Sequence, residues 1–255
     1  MTQGQTGTSQ LQDVLIEPPL RIRYLPGRSG VLVVSFSGVG SKRHEEPPLE
    51  FYKIAGNGGE NHVLFITDIN RSWLNTPKMA AKIVKVIELY SKRINTDSIT
   101  AIGNSMGGTM ALHLSGITRF DHVIALVPQY SVDPKLVPEE TRWMFFRKQI
   151  KRYIFRSLDT LPDNGTLYFI VHGDTADEKV HFKHFPTGPM IAHFILPGMG
   201  HNLARTLHNK GMLKSLINHG IAGRRWRFRQ TLETTGGILR RRYDVRLTAY
   251  DRNQS

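Results

Sequence analysis

The stretch Ile99-Thr100-Ala101-Ile102-Gly103-Asn104-Ser105-Met106-Gly107-Gly108-Thr109-Met110-Ala111-Leu112 decides the reading of this chain. An apolar run of strand character enters the pattern G-x-S-x-G at Gly103–Gly107, and a run of helical character leaves it. The bare pattern arises by chance in roughly one chain of this length in ten, so its placement carries the information. A serine on a sharp strand-to-helix turn is held in strained backbone with its hydroxyl exposed. Small residues must flank it, because larger side chains would collide across the turn.

A serine hydroxyl is a weak nucleophile until a base takes its proton, and the base needs a third group to hold its tautomer. Among 11 histidines, His201 is the best placed. It follows the last strand-like run in Leu196-Pro197-Gly198-Met199-Gly200-His201-Asn202, where glycines let the loop bend back. The acid is sought after the run Leu167–Val171, in His172-Gly173-Asp174-Thr175-Ala176-Asp177-Glu178-Lys179. Asp177 is preferred, since it ends a loop before a helical restart at Lys179. Asp174 is the alternative, as a cap or brace of that loop, and Glu178 ranks third.

Outward from this site the chain alternates. Runs of strand length lie at Leu20–Tyr24, expected as an edge strand, and at Val31–Phe36, His62–Thr67, Ser98–Ile102, His122–Val127, Leu167–Val171 and Ala192–Leu196. Helical patterns lie at Pro77–Ser91, Met106–Leu114 and Asn202–Asn218. Strands that alternate with helices predict an α/β fold with a mostly parallel, doubly wound sheet covered on both faces. The connection Pro128–Asn164 is too long for a simple loop, and its aromatic and basic content predicts a helix over Glu139–Leu158.

The order of Ser105, an aspartate and His201 at the ends of successive strands resembles the α/β-hydrolase superfamily across Val31–Asn218. That resemblance implies a serine esterase type of enzyme with Ser105, Asp177 and His201 catalytic, and a small helical lid at 128–164. It also implies an oxyanion hole at Ser37-Gly38-Val39-Gly40, with the Val39 amide beside that of Met106. Ser37-Gly38 stands where the family carries His-Gly. Phe36-Ser37-Gly38, Asp68 with Ser72-Trp73-Leu74-Asn75, and Gly200-His201-Asn202-Leu203-Ala204-Arg205 are similar to hydrolase-like proteins of bacterial polysaccharide clusters.

The 255 residues suit one domain, expected over 14–222, with a disordered start at 1–13 and a basic extension at 223–255. A 40% hydrophobic and 22% charged composition is that of a globular chain. Lys and Arg number 34 against 21 acidic residues, a formal charge of +13, which favours anionic partners such as an acidic glycan or a membrane surface. The aromatic and Arg mixture at 224–229 adds to that surface, although nucleic acid is a poor expectation because no groove or stacking platform is legible. The absence of cysteine excludes a thiolate nucleophile, thiolate metal sites and disulfides. No phosphate loop or H-E-x-x-H spacing is present, so no cofactor and no metal are predicted. The polar N-terminus and the lack of a run of about 18 to 20 apolar residues predict a cytoplasmic protein. The sequence therefore predicts an acyl-ester hydrolase acting on a small-molecule or glycan ester. The alternative is a hydrolase-fold accessory protein that only binds an acidic glycan or membrane surface.

Overall fold

The computed structural model describes residues 10–252. Among these residues nine strands form a single sheet: β1 Gln12–Glu17, β2 Leu20–Leu25, β3 Val31–Phe36, β4 His62–Asp68, β5 Ser98–Asn104, β6 His122–Leu126, β7 Leu167–Gly173, β8 Ile191–Leu196 and β9 Ile238–Leu239. Their order in the sheet is β1-β2-β4-β3-β5-β6-β7-β8-β9. β4, β3, β5, β6, β7 and β8 run parallel, while β1, β2 and β9 add antiparallel margins. The central strands are β-branched and buried almost end to end, as a sheet covered on both faces requires.

The helices are α1 Tyr52–Ala55, α2 Met79–Ile94, α3 Met106–Leu114, α4 Met144–Arg147, α5 Ala176–Phe182, α6 Leu203–Asn209, α7 Leu213–Ile221, α8 Arg225–Glu233 and α9 Arg240–Arg252. Ile83 and Ile87 of α2 and Met110 and Leu114 of α3 pack on one face of the sheet. Leu207, Leu216, Ile217 and Phe228, from α6, α7 and α8, pack on the other. This is the predicted doubly wound arrangement. Among the described residues, no helix is long and apolar enough to cross a membrane.

Four local expectations change. The helix expected over Asn202–Asn218 divides into α6 and α7 at Gly211, whose φ of 70° is a left-handed value that glycine adopts freely. β1 begins at Gln12, inside the segment expected to be disordered, and residues 1–9 of that expectation lie outside the described residues. β1 also covers β2, which is therefore not the edge.

The helix expected over Glu139–Leu158 is reduced to the single turn α4. Trp143 adopts a φ of 54°, and side chains capture the backbone groups that a helix would need. Asn75 Oδ1 accepts from the Ile154 and Phe155 amides at 2.6 and 2.9 Å, and Arg147 donates to the carbonyls of Val132 and Glu140. The small helical lid is accordingly a largely irregular segment.

Candidate active site

β5 delivers Ser105 to the carboxyl edge of the sheet, next to the point where β3 has β4 on one side and β5 on the other. Clefts form at such a switch in strand order. Ser105 has φ 55° and ψ −122°, an unfavourable conformation for a residue with a side chain. The turn tolerates no bulk: a Cβ at Gly103 would stand 2.1 Å from the Gly107 carbonyl carbon, and one at Gly107 2.3 Å from the Phe36 oxygen.

His201 Nε2 lies 2.9 Å from Ser105 Oγ, and its Nδ1 lies 2.8 Å from Glu178 Oε1. The structure thus brings together Ser105 and His201 as expected, with Glu178 in the place assigned to Asp177. Helix α5 begins at Ala176, three residues earlier than the Lys179 restart, and consecutive helical positions point about 100° apart. Glu178 faces inward with His181 and Phe182, its side chain 1% exposed. Asp177 faces outward, 45% exposed, and accepts from Arg142 Nη1 at 2.8 Å. Asp174 braces the loop before His201 by accepting from the Gly198 amide at 2.7 Å. The spacing of Glu178, His181 and Phe182 is the signal that would have identified the inward face of this helix.

Burial opposes ionisation of Glu178. The hydrogen bond from His201, the nearby His172 and His201 and the Arg142 guanidinium outweigh it and hold the carboxyl down to about 2. An ionised Glu178 accepts from His201 Nδ1–H, which leaves Nε2 as the acceptor facing the Ser105 hydroxyl. Arg142 links the same carboxylate, at 3.0 Å, to Glu140 and stacks 4.5 Å over Trp143. The Trp143 indole in turn packs against the His201 ring, with centroids 5.0 Å apart.

Val39 lies in the loop after β3 and borders the cleft; its amide takes part in none of the loop hydrogen bonds among the described residues. Met106 is the first residue of α3, where backbone N–H groups have no helical acceptor. Glu50 borders the same loop. Burial pushes its carboxyl up, against the hydrogen bond it accepts from the Gly38 amide.

Sequence reasoning also missed Gln129, which is fully buried just beyond β6. Its Nε2 donates to Ser105 Oγ at 3.0 Å. The cleft over Ser105 encloses about 810 Å³ and is lined by Val39, Trp143 and His201, with the cationic Lys53 and Arg205 and the imidazole of His208 also bordering it. Among the described residues no group of three or more His, Cys, Asp or Glu side chains converges as a metal site.

No protein-family model matches the chain, and no curated protein matches it in sequence. Solved structures do match in fold. The capsule O-acetyltransferase of Neisseria meningitidis serogroup A superposes with a TM-score of 0.58 at 15% identity, over 81% of this chain and 93% of that one. A mutant of the same acetyltransferase in complex with CoA gives a TM-score of 0.52 at 13% identity, over 82% and 97%. XC6422 of Xanthomonas campestris, described as an α/β serine hydrolase without a lid, gives 0.55 at 17% identity, over 86% and 95%. Identities this low speak to architecture alone, and they agree on it: this chain has the fold of the α/β serine hydrolases.

Proposed function

We propose that the protein is a serine hydrolase that cleaves an ester or related acyl bond through Ser105. The observation that carries this reading is the continuous path from Ser105 Oγ to His201 Nε2 at 2.9 Å and from His201 Nδ1 to Glu178 Oε1 at 2.8 Å, opening into a cleft. His201 takes the Ser105 proton as Oγ attacks the carbonyl carbon, and Glu178 stabilises the resulting imidazolium. The amides of Val39 and Met106 receive the oxyanion. The leaving group departs with the proton from His201, and water, deprotonated in turn by His201, releases the acid. Trp143 walls the cleft and shields the histidine. Labelling with a fluorophosphonate tests this reading: wild type is expected to label at Ser105 and Ser105→Ala to remain unlabelled. Equal labelling of the two, or none of the wild type, would overturn it.

A second reading, transfer of the acyl group to an alcohol, is favoured by Lys53, Arg205 and His208 in the cleft, which suit a phosphorylated acyl donor. The meningococcal protein of similar fold is a capsule O-acetyltransferase, and a mutant of it forms a complex with CoA. Consumption of acetyl-CoA that depends on an added carbohydrate would support transfer. Ester hydrolysis with no such consumption would favour hydrolysis.

A further inference from the structure

Gln129 holds a position that the Ser105, His201 and Glu178 path does not require. Its carboxamide is oriented without ambiguity. The Trp73 indole nitrogen, 2.9 Å from Gln129 Oε1, can only donate, so the oxygen faces Trp73 and the amide nitrogen faces Ser105. Thr109 Oγ1 lies 3.1 Å from the same Oε1 and accepts from the Gln129 backbone amide at 2.8 Å, so that the side chain is fixed at both ends.

Strain collects around this arrangement. Arg71, Trp73 and Leu74 have φ of 51°, 50° and 66°, and Val127, shortly before Gln129, has φ of 44°. Left-handed backbone at residues of this size persists only where surrounding contacts impose it. The loop that presents Trp73 is anchored by Asp68, whose Oδ2 accepts from the Ser72 amide and hydroxyl, each at 2.7 Å.

We propose that Gln129 is a further catalytic residue, donating to Ser105 Oγ, and that Trp73 is the positioning residue that aims it. The inference rests on the serine-nucleophile reading above. A hydroxyl oxygen has one proton and two lone pairs. The proton points to His201 and one lone pair accepts from Gln129, which leaves the other free to attack. As Oγ passes its proton to His201 and bonds to the carbonyl carbon, the carbonyl π pair moves to its oxygen. The charge that develops on Oγ in this step meets the Gln129 N–H.

The test measures fluorophosphonate labelling rates and steady-state hydrolysis of p-nitrophenyl acetate for wild type, Gln129→Met, Trp73→Phe and the double variant. Gln129→Met is expected to slow labelling and kcat by about 10- to 100-fold, the effect of losing one hydrogen bond to a developing charge. KM should stay within roughly two-fold, because ground-state binding is untouched. Trp73→Phe should lose less than Gln129→Met, and the double variant should be no slower than Gln129→Met alone, since both act through one bond. Wild-type rates in folded Gln129→Met would overturn the proposal. If that variant does not fold, Trp73→Phe decides in its place: a slowed kcat supports the proposal, and wild-type rates overturn it. A wild-type enzyme that neither labels nor turns over removes the nucleophile reading, and this inference with it.

Discussion

Glu178 Oε1 stands 2.8 Å from His201 Nδ1 and 3.0 Å from Arg142 Nη1, so one oxygen accepts from both the histidine and the guanidinium. The histidine is thereby oriented by a carboxylate that is itself anchored through Arg142 to Glu140. Asp177, the adjacent residue in the chain, accepts from the same Arg142 Nη1 at 2.8 Å and, through its carbonyl, from Nη2 at 3.1 Å.

This arrangement separates the two acids experimentally. Glu178→Gln replaces an acceptor-only group with one that can donate to Nδ1, and so favours the wrong imidazole tautomer. A loss in kcat of about 10³- to 10⁴-fold is expected. Asp177→Asn removes an exposed ion pair and should change kcat/KM by less than roughly two-fold. Steady-state ester hydrolysis by the two variants checks the assignment, and the opposite ranking would return the role to Asp177.

The contrast shows which parts of the site were legible. The elbow at Ser105 announces itself because glycines must stand where a Cβ would strike backbone, and the loop at His201 because Gly198 takes a left-handed φ of 74°. The parallel strands announce themselves because burial on both faces demands continuous apolar runs. The acid depended on which of two neighbouring residues faced inward, and that follows from where α5 begins. Thr175, with extended backbone at φ −63° and ψ 158°, starts the helix without a side-chain capping bond to mark it. Gln129 carries no local pattern at all, since its role arises from contacts with Trp73 and Thr109, 56 and 20 positions away. The irregular course of 128–164 was equally hidden, because Asn75 captures its backbone from 79 positions away and Arg147 reaches back 15 positions to Val132.

The basic C-terminal region is built into the fold, with consequences for stability. Phe228 is fully buried 4.3 Å, centroid to centroid, from the Phe169 ring of β7, while Trp226 is 62% exposed. Arg240 donates to the carbonyls of Phe182 and Lys183 at the end of α5, the helix that carries Glu178. Phe228→Ala should cost about 3 to 5 kcal/mol and Trp226→Ala less than about 0.5 kcal/mol, as read by urea unfolding. Equal effects would mean that α8 does not pack on the sheet.

Stability should also fall in mild acid. His172 is fully buried between the Pro128 carbonyl, to which Nε2 donates, and His193 Nε2, 2.9 Å from its Nδ1. Burial holds its pKa down to about 4, against an ordinary value of 6.5, and lowers that of His193 as well. Between those values the unfolded chain binds more protons than the folded one. Stability is therefore complete above about pH 6.5 and declines as pH drops toward 4, by about 3 kcal/mol for His172. Glu178 acts lower, because its stabilising contribution is present above its ordinary value of 4.5 and lost only toward its folded value of about 2. Urea midpoints at pH 7.5 and 5 measure the difference, and a flat profile would contradict the buried neutral pair.

The loop that carries His201 is set by a contact admitting no side chain. A Cβ on Gly173, the last residue of β7, would lie 1.8 Å from the Met199 oxygen and 2.5 Å from its carbonyl carbon. Both are backbone atoms and cannot swing aside. In Gly173→Ala the 198–200 segment must move, and His201 moves with it away from Ser105. Misplacement by about 1 Å costs catalysis roughly 10²-fold, so a loss of that order in kcat is expected alongside a lowered melting temperature. Gly188→Ala is the matched control, because its added methyl meets the Ile191 side chain at 3.6 Å and 3.8 Å, ordinary contacts. Unchanged hydrolysis by Gly173→Ala would show that His201 is positioned by something other than its approach to the end of β7.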